Sequence, residues 1–146
     1  MELYRIMEHI TEGLKNIDER LLSPLVLAYI GDAVYELYVR TRVIEEHPSM
    51  PAHKLHREAV KYVKAHAQSD SAHAIAELLT DEEAAVFRRG RNAKSYTKAK
   101  NASTVDYRHA TGFEALVGYL YISGREGRAE ELMKAAYESA STREVH

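Results

Sequence analysis

Apolar residues recur at helical spacing in several segments of the chain, separated by serine, proline and glycine. The clearest segment opens at Ser23-Pro24 and runs to about Glu46, where His47-Pro48 ends it. Serine satisfies orphan N–H groups at a helix start, and the fixed φ of proline suits the first helical position. Other segments predict a first helix from Leu3 to Asn16 and a third from about Pro51, breaking around Ser69 to Ser71 into two helices before Leu79. Thr80-Asp81-Glu82-Glu83 reads as a capping box that opens a helix through Phe87 and Arg88. Gly90 to Asp106 reads as mostly loop, and loops of that length are more often functional than plain connections. A helix from Tyr107 to Ile122, closed by Ser123-Gly124, and a last one from Glu126 to Ala140 complete the pattern. The tail from about Ser141 is expected to be disordered.

Within the Ser23–Glu46 segment, Leu27, Ile30, Val34, Leu37 and Ile44 form one apolar stripe, and Leu25, Ala28, Val39 and Val43 form another. A helix apolar on two sides is expected to be central. Asp32 falls within the second stripe, where an ionised carboxylate is costly unless paired or bound to a metal. Gly31, just before it, costs about 1 kcal/mol of helix propensity relative to alanine and suggests the close approach of another backbone. Glu114 sits at the edge of the stripe Phe113, Leu116, Val117, Leu120 and Tyr121, with Ala110 and Gly118 one turn away. Two inward-leaning carboxylates could share a hard cation such as Mg²⁺. They could equally be separate structural acids, and spacing does not bring them together.

Composition narrows the class. A chain of 146 residues, with 7 glycines, 3 prolines and no Asn-Gly or Asp-Gly hairpin dipeptide, reads as a single all-α domain. The absence of cysteine excludes disulfides and thiolate metal sites. No apolar run approaches membrane-spanning length, and the N-terminus does not read as a signal peptide, so a cytoplasmic protein is expected. Net charge is only -2, so any nucleic-acid surface must be a local patch. The stretch from Arg88 to Lys100 supplies one: Arg88, Arg89, Arg91, Lys94, Lys98 and Lys100, with no acid among them. Taken alone it is a solvated basic face; placed just before Glu114, it is a candidate grip on phosphates. His53 and His56, with His66 and His73 further on, lack a third ligand in step and read as surface histidines.

Three motifs in order carry a resemblance. Tyr29-Ile30-Gly31-Asp32-Ala33-Val34 resembles the signature of the ribonuclease III family, and Thr111-Gly112-Phe113-Glu114-Ala115-Leu116-Val117-Gly118 resembles that family's second acidic motif. Arg89-Gly90-Arg91-Asn92-Ala93-Lys94 resembles the hallmark of its Mini-III subgroup, which consists of the catalytic domain without a double-stranded-RNA-binding domain. The resemblance implies an all-helical catalytic bundle, a homodimer, and Mg²⁺, for which Mn²⁺ can substitute. It also implies cutting of double-stranded RNA to 5′-phosphate and 3′-hydroxyl ends, in maturation of large-subunit (23S) ribosomal RNA. It assigns catalysis and metal binding to Asp32 and Glu114, and the dimer interface to Tyr29.

The chain departs from that family at three acidic positions, occupied here by Leu25, Ala28 and Thr111. Glu36 and Asp106 are the acids available as helpers, though solvent-facing structural roles suit both better. The thinned cluster motivates an alternative, a catalytically silent RNA-binding or ribosome-assembly module. A third possibility, an all-α nucleotide phosphohydrolase, lacks paired His-Asp or repeated Glu-x-x-Glu ligands.

Overall fold

The structure is a computed structural model that describes residues 9–94 and 104–145. Among these residues there are helices and turns and no β-strand, as the composition implies. Six α-helices follow in order: α1 (Pro24–Glu46), α2 (Ala52–Val63), α3 (Ala65–Ile75), α4 (Asp81–Asn92), α5 (Thr104–Ile122) and α6 (Glu126–Val145). Residues 9–11 are helical and lead into a 3₁₀ turn at Glu12–Leu14; the rest of the expected first helix lies outside the described residues. Further 3₁₀ turns occupy Glu19–Leu21 and Ala76–Leu78.

The strongest local signals set the boundaries expected of them. Ser23 caps α1 by accepting from the Val26 N–H, with Pro24 in the first turn. Thr80 and Glu83 form the reciprocal capping box of α4: the Glu83 N–H donates to Thr80 Oγ1, and the Thr80 N–H donates to Glu83 Oε1. Gly124 closes α5 with φ at 77°, a left-handed conformation that glycine adopts without steric cost.

Other boundaries move, each for a tertiary reason. The break after α2 falls at Lys64, whose ψ of 151° is extended, and not at Ser69 to Ser71. Those serines are buried within α3, where Ser71 Oγ donates to the Ala136 carbonyl of α6. They are packing contacts between helices and not a breaking signal. The expected loop from Gly90 is shorter at both ends, because α4 continues to Asn92 and α5 begins at Thr104. Gly90 sits against Gly112 and Ala115, so it serves close packing of α4 on α5. The last helix extends past Ala140 to Val145.

The expected centrality of α1 is also corrected. The central helix is α5, which packs against α1, α3, α4 and α6, and which is buried from Ala110 to Tyr121 except at Glu114. In α1 a single broad face is buried, formed by Leu27, Ala28, Gly31, Val34, Tyr35, Tyr38, Val39 and Val43. Leu37 and Ile44, read as core, are exposed, and with Val26 and Tyr29 they line the opposite side. Tyr35 meets Phe113 edge-on at 4.9 Å, and Tyr62 stacks on Tyr137 at 4.1 Å, so aromatic residues join α1, α2, α5 and α6.

Candidate functional site

Two glycines decide how α1 crosses α5. A methyl group on Gly31 would fall on the Glu114 carbonyl oxygen, and one on Gly118 would fall on the Leu27 carbonyl oxygen. The helices therefore touch backbone to backbone, as Gly31 suggested from sequence. Asp32 follows Gly31, and Glu114 lies one turn before Gly118, so the crossing places the two acids face to face.

Their environments differ from the expectation of two buried acids. Asp32 is exposed, at the solvent border of the face that α1 packs on α5. Side-chain periodicity puts it in one stripe with Val39 and Val43, and those two are buried further along α1 while Asp32, two turns before Val39, is left open to solvent. Glu114 is half-buried, accepts a hydrogen bond from Gln68 Nε2 at 3.3 Å, and lies within hydrogen-bonding reach of the Asp32 carboxyl. Burial first, then the charge of Asp32, pushes the Glu114 carboxyl up to about 9. Glu36 adds negative charge to the same place while pairing with Arg40 at 3.1 Å. Without a cation, burial and the neighbouring charge thus favour the protonated form of Glu114. A positive ion between the two carboxylates would relieve both their repulsion and the loss of solvation, and oxygen donors suit a hard divalent ion.

The three positions where the resembled family carries further acids are filled here by packing residues. Ala28 and Thr111 are buried, Leu25 is half-buried, and Thr111 Oγ1 donates to the Tyr107 carbonyl within its own helix. Asp106 pairs with a histidine: its Oδ2 lies 2.9 Å from His66 Nδ1, and His66 Nε2 lies 3.3 Å from Asp70 Oδ2. The two carboxylates raise the His66 pKa, chiefly through the hydrogen bond with Asp106. Among the described residues, no group of three or more His, Asp or Glu side chains is arranged to hold an ion. His53 and His56 are exposed on α2.

The basic residues are partly on a helix. Arg88 and Arg89 are exposed and Arg91 half-buried on the last turns of α4, and Lys94 is exposed just beyond its end; Lys98 and Lys100 lie outside the described residues. Cations there also complement the C-terminal end of the helix dipole. Because α4 packs on α5 at Gly90 and Gly112, this basic end is fixed to the helix that carries Glu114.

Sequence reasoning missed Gln68. Its side chain is 2% exposed on α3 and reaches Glu114. A polar residue on the buried face of α3, among Ala67, Ser69, Ser71, Ala72 and Ile75, was the available signal.

Comparison with known proteins gives a concordant result. Residues 25–125 match the model of the Ribonuclease III domain. A Mini-ribonuclease 3 of Clostridium tetani is 50% identical over 130 residues, covering 87% of this chain and 86% of that protein. A Mini-ribonuclease 3 of a Thermoanaerobacter species is 52% identical over 113 residues, covering 77% and 79%. A crystal structure of a Fusobacterium nucleatum protein, 26% identical, superposes with a TM-score of 0.73 over 82% of this chain and 94% of that one.

Proposed function

This chain belongs to the ribonuclease III family, in its Mini-III branch, and is an endoribonuclease; from that premise we propose that it cleaves double-stranded RNA with Mg²⁺ held by Asp32 and Glu114. The observation that carries the reading is the Gly31–Gly118 crossing, which sets those two carboxylates against each other at a solvent-facing edge. Mg²⁺ commonly binds through one or two carboxylates, keeping water and substrate phosphate as its other ligands, so two acids suffice. Bound there, it would supply a hydroxide nucleophile from water and offset charge on the phosphodiester; Mn²⁺ would substitute. Asp32 faces solvent, where a phosphodiester can approach, and Glu114 backs it from the core. Arg88, Arg89, Arg91 and Lys94, with Lys98 and Lys100, would grip duplex phosphates without reading bases.

The outer side of α1 supports a homodimer. Val26, Tyr29, Ala33, Leu37 and Ile44 make an exposed stripe at helical spacing, and Tyr29 is 81% exposed. A second copy covering this stripe would bring two sites to one duplex, so that both strands are cut. Products would carry 5′-phosphate and 3′-hydroxyl ends. Maturation of 23S ribosomal RNA in the cytoplasm is the physiological role that fits this branch; among the described residues no helix is long and apolar enough to cross a membrane.

The direct test is incubation with long duplex RNA, with and without Mg²⁺. Cleavage only with the metal supports the reading. Salt-sensitive binding without cleavage at any Mg²⁺ concentration would instead identify a silent RNA-binding module, the alternative motivated by Leu25, Ala28 and Thr111 at acidic positions of the family.

A further inference from the structure

Gln68 makes two hydrogen bonds through one nitrogen. Its Nε2 donates to the Val63 carbonyl at 2.7 Å and to Glu114 Oε2 at 3.3 Å. Both acceptors need N–H groups, so they fix which end of the amide faces them. Among the described residues the buried amide oxygen has no hydrogen-bond partner. An unsatisfied buried oxygen costs about 1–3 kcal/mol, so packing alone would favour an apolar side chain here. What the glutamine adds is its pair of donors.

We propose that Gln68 is a positioning residue for the reaction, holding the Glu114 carboxyl toward Asp32 in the orientation that accepts a divalent cation. The inference rests on the metal reading above. The anchor is rigid. Val63 is the last residue of α2, and the extended Lys64 interrupts the helix there. That interruption presents the Val63 carbonyl to a side chain of α3. One amide hydrogen is thereby fixed on backbone, which aims the other at Glu114. The α2–α3 break thus acts on the site through a single side chain, although neither helix carries one of the two acids. Gln68 itself touches neither the phosphodiester nor the cation.

The test uses the full chain and Gln68→Met, which keeps the length of the side chain and removes both donors. Circular dichroism checks the fold, calorimetry without RNA measures Mn²⁺ affinity, and duplex cleavage is followed against Mg²⁺ concentration. Loss of a ligand's hydrogen-bonding partner typically weakens metal affinity by about 10–100-fold, and we expect about tenfold here. The Mg²⁺ concentration for half-maximal rate should rise by the same factor, while the rate at saturating Mg²⁺ stays near wild type. A folded variant with unchanged Mn²⁺ affinity would overturn the proposal, as would a lower saturated rate with unchanged affinity. Should the variant not fold, the wild-type Gln68 side-chain amide resonances decide: they should shift on adding Mg²⁺, and no shift overturns the proposal. Wild-type protein that binds no Mn²⁺ would overturn the metal reading itself and this inference with it. Wild-type binding that Gln68→Met leaves unaltered overturns the inference alone.

Discussion

Asp32 and Glu114 stand close enough for each to feel the other's charge, yet one is open to water and the other half-buried. Removing either carboxylate removes half of the proposed ligand set. Asp32→Asn and Glu114→Gln should each lower duplex cleavage by at least about a hundredfold, with an unchanged circular dichroism spectrum. Near-wild-type cleavage by either variant would refute the assignment. Glu114 also makes metal-free stability depend on pH. Its carboxyl binds a proton more tightly folded, at about 9, than at the ordinary value of 4.5. The stabilisation is therefore complete below about 4.5 and is lost as pH rises toward 9. Chelator-treated protein should show a falling melting temperature across that window, flattened in Glu114→Gln and opposed by Mg²⁺. A slope unchanged by the substitution would show that other groups cause it.

At the scale of elements, the site depends on how two helices meet. Gly31→Ala would wedge α1 from α5 at the Glu114 carbonyl. Overpacking of this kind costs about 1–3 kcal/mol, visible as a lowered denaturation midpoint, and should reduce cleavage as well by separating the acids. The start of α4 is held differently. Glu83 is 3% exposed, caps Thr80, and accepts from Arg128 of α6 at 2.8 Å and 2.9 Å. The Arg128 guanidinium holds the Glu83 carboxyl below its ordinary value, so this contribution is present above about 4.5 and lost as pH falls. Glu83→Gln should cost about 2 kcal/mol at neutral pH by chemical denaturation, and less in acid.

For the whole molecule, the exposed stripe of α1 and the basic end of α4 are the surfaces proposed to meet a second copy and RNA. Leu37→Asp, at a residue 47% exposed on that stripe, should shift sedimentation from dimer to monomer while leaving the helical content intact. An unshifted sedimentation coefficient would put the dimer contact elsewhere. Neutralising Lys94, Lys98 and Lys100 together should weaken duplex binding and flatten the salt dependence by about one slope unit per lost phosphate contact.

Much of this was legible in the residues. The periodic stripes, the Ser23-Pro24 start and the Thr80–Glu83 box specified helices and several of their ends, because capping and amphipathicity are local properties. Gly31 announced a close backbone, and the order of the acidic motifs pointed to Asp32 and Glu114. Tertiary structure alone decided which surfaces are covered. Asp32 shares a stripe with core residues yet lies exposed, and Leu37 and Ile44 read as core yet face outward, because burial depends on which neighbour arrives and not on spacing. Ser69 and Ser71 read as a break yet pack α3, since their preference for turns yields once a neighbouring helix covers them and Ser71 finds a carbonyl on α6. Gln68 reached Glu114 only when α3 was laid against α5, a contact between residues 46 apart in sequence that no local pattern encodes.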